Sequence, residues 1–183
     1  MNVWIIENTA SVKLVFVVFS TFLIAERLIN TFHSKVFPEK PKKVFCRIDF
    51  FFLLANYLAI IFLSIFSFFG QKRISVLESL VGGSLFLIGV ACRRMAIHAL
   101  GKWWSVFIEI KEGQPIVREG IYRYLKHPYY LGVLCELFGF ALVCNAVPWV
   151  YILIGIQCVC LLFRIRIEER ILQICERKMR RTL

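Results

Sequence analysis

Long apolar runs broken by short polar stretches set the pattern of this chain. A bilayer-spanning helix needs about 20 mainly apolar residues. The first run of that kind covers Thr9 to Ile29, with Lys13 near one end and Glu26-Arg27 near the other. It has no basic start, and no small-x-small site follows it, so it reads as a retained span rather than a cleaved leader. Lys35–Arg47 is polar and basic and carries Pro38 and Pro41, as a loop would. Phe50 to Gly70 then runs without a charge, and Gln71-Lys72-Arg73 makes a turn. A third span follows from Ile74 to Cys92, interrupted by Glu78. Pro128 to Phe163 is apolar again, with Glu136 its one charge. That is too long for one crossing, and Asn145 and Pro148 sit near its middle, so the pattern predicts a helical hairpin turning at Cys144–Pro148.

The expectation is therefore an all-α, multispanning membrane protein with about five transmembrane helices. The last two form the hairpin, and a polar loop segment and a charged C-terminal helix complete the chain. Residues 1–92 would hold three spans, and residues 93–183 the polar segment, the hairpin and the tail. The segment 93–127 holds Gly101, Gly113 and Gly120, a Trp pair and a Pro. It is too polar for lipid and too long for an idle connection.

Composition agrees. Of 183 residues 59% are apolar and 19% charged, 18 are Phe, and the mean hydropathy is +0.71. These values exclude an ordinary soluble domain, a secreted disulfide scaffold and a disordered chain. The seven Cys form no CxxC and mostly lie in apolar runs, as small core residues do. The net charge is +11. Five Lys and Arg fall in residues 30–49, seven in 93–127 and seven from Arg164 on, whereas the alternate segments hold few. Five spans put all three basic segments on one side, which places the N-terminus outside and the C-terminus in the cytosol. The same bias accounts for the basic surface as contact with anionic headgroups, and no nucleic-acid partner is expected.

The candidate chemistry lies at that cytosolic end. Pro128 restrains its own φ and pushes His127 toward an extended conformation, and Pro suits the first turn of a helix. His127 thus sits at a helix mouth, where an anion is favoured. Tyr129 and Tyr130 follow in the first turn, and Gly132 permits close approach of a neighbour or ligand. In the tail, Arg166 and Glu169 are three apart and share a helical face, while Glu168 points elsewhere, toward surface cations. Glu136 and Glu78, within spans, should each face a partner or a cavity, a hydrogen bond to a neighbouring helix being the favoured reading for both. Trp103-Trp104 would anchor the segment at headgroup level. His33 and His98 lack ligand spacing, so no metal is expected. No P-loop, GxGxxG or GxSxG is present.

Three ordered stretches carry a resemblance: Leu100-Gly101-Lys102-Trp103-Trp104-Ser105, then Pro115 through Gly132 with Gly120-Ile121-Tyr122 and Lys126-His127-Pro128-Tyr129-Tyr130-Leu131-Gly132, then Arg164-Ile165-Arg166-Ile167-Glu168-Glu169. They resemble the isoprenylcysteine carboxyl methyltransferase family, whose pattern is a Gly-x-Tyr-x-x-x-Arg-His-Pro-x-Tyr-x-Gly block, a helical hairpin and a Glu-Glu pair. The likeness covers residues 93–172. Lys126 stands where the family usually has Arg, and aromatic residues common after the Glu pair are missing.

The resemblance implies an integral membrane enzyme that uses S-adenosyl-L-methionine in a cytosolic pocket and takes a lipid-like acceptor from the bilayer. Carried over, Gln114, Pro115, Ile116, Val117 and Tyr122 would line the cofactor. His127, Pro128, Tyr129 and Tyr130 would form the next wall, Glu169 would hold a polar part of the cofactor, and Arg166 would sit near the acceptor. Glu109 matches a further polar contact, at an irregular spacing from Tyr122. A carboxylate acceptor needs a cation to place it and no base, which suits Arg166; a phenol or enol would use a base, for which His127 or a Tyr is the candidate. Two other readings are a sterol-reductase-like membrane reductase with a nicotinamide cofactor and a non-catalytic membrane assembly protein.

Overall fold

A computed structural model describes the backbone at residues 5–7, 9–14, 16–18, 20–21, 25, 43–45, 47–105, 108–110 and 117–179, and beyond residue 50 the side chains of 51–101, 103–105 and 117–171. Among the described residues the chain forms five helices. Helical positions between residues 10 and 21 make α1. Then come α2 (Arg47–Gly70), α3 (Val76–Leu100), α4 (Pro128–Val143) and α5 (Pro148–Met179). Four three-residue strands join the polar ends: β1 (Ile5–Glu7), β2 (Lys43–Phe45), β3 (Arg73–Ser75) and β4 (Ile108–Ile110). β1 pairs antiparallel with β3, and β2 with β4. The all-α expectation holds, and the chain is an integral membrane protein. Among the described residues three helical stretches are long and apolar enough to cross a bilayer: Phe51–Gly70, Val76–Leu100 and Pro148–Ile171.

α4 is apolar but shorter. Its 16 residues rise about 24 Å at 1.5 Å each, less than the roughly 30 Å of a hydrocarbon core. It packs most closely on α3. Gly82 and Gly89 of α3 meet Gly139 and Gly132 of α4, each pair seven residues apart, so the seam is antiparallel. A Cβ on Gly82 would lie 2.6 Å from the Gly139 carbonyl, and one on Gly89 2.8 Å from that of Gly132. Small residues let two backbones approach where lipid gives no hydrophobic drive between helices. The close approach expected at Gly132 is therefore to a neighbouring helix. At the end of this seam Arg93 Nε lies 2.5 Å from Glu136 Oε1, both side chains buried. This is the helix-to-helix bond expected of Glu136, and breaking such a pair costs about 3–5 kcal/mol.

The third span does not stop at Cys92. α3 runs on to Leu100, where Gly101 at φ 49° caps it with its N–H on the Ile97 carbonyl. Arg93 stays helical because its charge is matched across the seam. At the other end Ser75 is the N-cap and accepts from the Glu78 N–H at 3.4 Å. Glu78 itself is exposed in the first turn, where an acidic side chain complements the helix dipole, and needs no intramembrane partner.

The hairpin turns at Cys144–Val147, and Pro148 opens α5. Asn145 takes a left-handed φ of 47°. Its Oδ1 accepts from the Ser75 N–H at 2.8 Å, and its Nδ2 donates to the Leu142 carbonyl at 3.3 Å and Ser79 Oγ at 3.4 Å. Gln71 donates to its carbonyl, and the Val147 N–H donates to Ser67 Oγ at 3.1 Å. Phe16 of α1 stacks on Phe68 of α2 at 3.9 Å between ring centres and reaches Phe140 of α4 at 5.9 Å. Between α2 and α5, Asn56 Nδ2 donates to Gln157 Oε1 at 2.7 Å. β1, β3 and the hairpin tip thus share one end of the bundle. At the other end β2, from the basic loop, pairs with β4 of the 93–127 segment.

Candidate functional site

The far end of α4 opens on His127, its N-cap, at φ −130° and ψ 59°. Proline at the next position disfavours helical geometry here, and Pro128 is buried as the first helical residue. The Pro128 carbonyl accepts from Cys92 Sγ on α3 at 3.3 Å. This fixes the mouth level with Cys92, eight residues before α3 ends, so α3 continues about 12 Å past it at 1.5 Å per residue. α5 likewise runs from Glu169 to Met179. The mouth is recessed between two longer helices.

Two side chains of the mouth, His127 and Tyr130, meet α5. His127 Nε2 lies 3.1 Å from Glu169 Oε1. The Tyr130 hydroxyl donates to Glu168 Oε2 at 2.8 Å and accepts from Arg164 Nε at 3.1 Å. Tyr129 stands edge-on to Tyr130 with centroids 5.6 Å apart and is 6.0 Å from the Trp104 ring. The His127 and Tyr130 rings are 6.0 Å apart. Tyr122, half-buried, lies on the 3-10 turn Gly120–Arg123, entered through Gly120 at φ 58°. Burial first, and the Glu168 carboxylate second, push the Tyr122 phenol well above its ordinary value, so it stays protonated. The Glu169 side chain remains 43% exposed. The mouth therefore offers the part-exposed Glu169 carboxylate, framed by aromatic rings, at a helix N-terminus.

Tyr122, His127, Pro128, Tyr129, Tyr130 and Glu169 lie together at this end of the bundle. Glu168 departs from expectation. It points into the cluster, because Tyr130 supplies a buried donor one helix face away from Glu169. Trp104 departs as well: it is 6% exposed and packs on Tyr129 rather than reaching a headgroup layer. Arg164, also 6% exposed, belongs to the site through Tyr130; it opens the tail stretch that carries the resemblance, but nothing in the sequence assigned it a role of its own.

Arg166 is exposed and lines a groove of about 230 Å³ with Phe163, Ile167 and Arg170, on a different face of α5 from Arg164 and Glu168. Val117 is half-buried ahead of the 3-10 turn. Glu109 lies on β4 in register with Val44, its side chain outside the described residues, and Gln114, Pro115 and Ile116 lie outside them altogether.

The sequence pattern of the isoprenylcysteine carboxyl methyltransferase (ICMT) family matches residues 80–174, which run from α3 through the mouth to the glutamate pair and beyond. The chain belongs to this ICMT family. The match covers just over half of its length. An uncharacterized protein of Haemophilus influenzae is 30% identical over 92 residues, 50% of this chain and 54% of that protein. The uncharacterized protein YpbQ of Bacillus subtilis is 32% identical over 81 residues, 44% of this chain and 48% of YpbQ. The chain thus spans about half the length of these curated relatives. No solved structure matches it.

Proposed function

We propose that this ICMT-family chain is an S-adenosylmethionine-dependent membrane O-methyltransferase. Its acceptor would be a lipid-like molecule carrying a carboxylate, or a phenol or enol oxygen, such as a prenylcysteine. The observation that carries the reading is the half-exposed Glu169 carboxylate, held by His127 at the recessed mouth of α4. The residues suit the cofactor. A carboxylate can accept from its hydroxyl or ammonium groups, and the Tyr129, Tyr130 and His127 rings offer flat apolar walls. Tyr122 would close the side facing the 3-10 turn, with Val117, Gln114, Pro115, Ile116 and Glu109 leading to it.

When bound, S-adenosylmethionine supplies a methyl group already activated on a sulfonium. The chain's own contribution is then orientation and exclusion of water. Arg166, one turn beyond the exposed Phe163, would hold an acidic acceptor by paired N–H donors while its tail stays among apolar side chains. A carboxylate acceptor carries no proton to remove. The Tyr130 hydroxyl already shares its proton with Glu168, so for a phenol or enol the base falls to His127.

The mouth would face the cytosol and the N-terminus the outside. The pairing of β2 with β4 supports this, since it joins two of the three basic segments at the end where the mouth opens. Titration of the detergent-solubilised protein with S-adenosylhomocysteine and with NADPH tests the reading. Binding of the first and not the second is expected. NADPH alone would make it a reductase, and neither would leave a membrane assembly protein.

A further inference from the structure

The consecutive glutamates engage the same turn of α4 from one helix. Glu169 meets His127, the N-cap, and Glu168 meets Tyr130, three residues on. The two contacts differ in what they leave free. A tyrosine hydroxyl has one proton to give, and that of Tyr130 goes to Glu168 at 2.8 Å while Arg164 donates to its oxygen at 3.1 Å. Arg164 and Glu168 are one helical turn apart on α5, so the three side chains make a strut that leaves α5, touches α4 and returns. Arg164 is buried. Glu169 keeps its half-exposed carboxylate beside the ring of His127.

We propose that Glu168 is a positioning residue: through Tyr130, and backed by Arg164, it fixes the first turn of α4 against α5 so that His127 and Glu169 meet. The two neighbouring glutamates then divide the work, Glu168 holding the wall and Glu169 facing the ligand. The ligand-facing half rests on the methyltransferase reading, whereas the positioning half does not. Tyr130, which the family resemblance sets in the cofactor wall, contributes the face of its ring there and commits its hydroxyl to the strut.

The test uses the full chain in lipid nanodiscs with ¹⁵N-labelled histidine, the His127 ring signals being identified by their loss in His127→Asn. Glu169→Gln sets the benchmark, since it alters the hydrogen bond to His127 directly. Tyr130→Phe keeps ring and volume but removes the strut, and should move the His127 ring signals in the direction Glu169→Gln moves them. Glu168→Ala should do the same. Glu168→Gln, whose amide oxygen still accepts from Tyr130, should restore most of the wild-type position. Should Glu168→Ala fail to fold, the Tyr130→Phe and Glu168→Gln pair carries the comparison alone. His127 signals unchanged in Tyr130→Phe would overturn the positioning role.

S-adenosylhomocysteine affinity is read on the same samples. It should weaken about tenfold in Tyr130→Phe, as expected for losing a hydrogen bond to a charged group, and recover in Glu168→Gln relative to Glu168→Ala. Wild-type protein that fails to bind S-adenosylhomocysteine would remove the methyltransferase reading and the ligand-facing role of Glu169. The His127 signals would still decide the strut.

Discussion

The α4–α5 hairpin ends in two polar clusters of opposite character. At the tip, Asn145, Gln71, Ser67, Ser75 and Ser79 are uncharged and bond to one another and to backbone groups. At the mouth, His127, Tyr130, Arg164, Glu168 and Glu169 combine charges with rings, and one carboxylate stays half open. The tip spends its hydrogen-bonding capacity on holding α3, α4 and the turn in register. The mouth keeps a part-exposed carboxylate that a ligand could engage in place of water. Both are polar groups in an apolar protein, and what separates a structural cluster from a binding one is the donors and acceptors left over.

The sharpest test of that contrast is Glu169→Ala. It should abolish S-adenosylhomocysteine binding, a loss of more than about 100-fold by calorimetry, as expected when a charged group loses its partner in a recessed site. Retained affinity would erase the distinction between the two ends. Arg166→Ala comes next. It should leave that affinity within about threefold and lower turnover roughly 100-fold through misplacement of the acceptor. Loss of cofactor affinity instead would move Arg166 from the groove to the cofactor wall.

The tip should respond in the opposite sense. Asn145→Ala removes the side chain joining the turn to Ser75 and asks alanine to hold a left-handed φ, so the thermal midpoint should fall by the equivalent of about 1–3 kcal/mol while cofactor affinity stays unchanged. Asn145→Gly, which accepts that φ freely, should lose less. The smallest effect concerns pH. The folded Tyr122 phenol titrates above its ordinary value of 10.0 because of burial and then Glu168. The folded chain therefore holds this proton more tightly than the unfolded one. The stability it contributes is complete below about pH 10 and declines as pH rises further. A thermal midpoint that falls above pH 10 in the wild type, and falls less in Tyr122→Phe, is the expected result.

Much of this was legible in the residues. Asn145 and Pro148 mark the turn because few residues accept its geometry, and His127-Pro128 marks the helix mouth because proline allows little else. The segments that chain periodicity misjudged are those whose charges meet partners far along the sequence. Arg93 reads as the end of a span, yet it is buried against Glu136 forty-three positions away. Glu168 reads as a surface carboxylate, yet Tyr130 reaches it from thirty-eight positions away. Trp104 reads as a headgroup anchor until Tyr129 covers it. A helical wheel tells which residues share a face. It does not tell which face a neighbour will occupy.

The brevity of α4 carries a consequence for traffic. With its opening sunk about 12 Å below the end of α3, an oily guest could present its reactive head without drawing its tail into water. Each methylene so retained spares about 0.8 kcal/mol of transfer cost, and a long chain would multiply that several times over. On the proposed reading, lengthening α4 by a turn would lift the meeting point toward solvent and penalise the longest-tailed guests first.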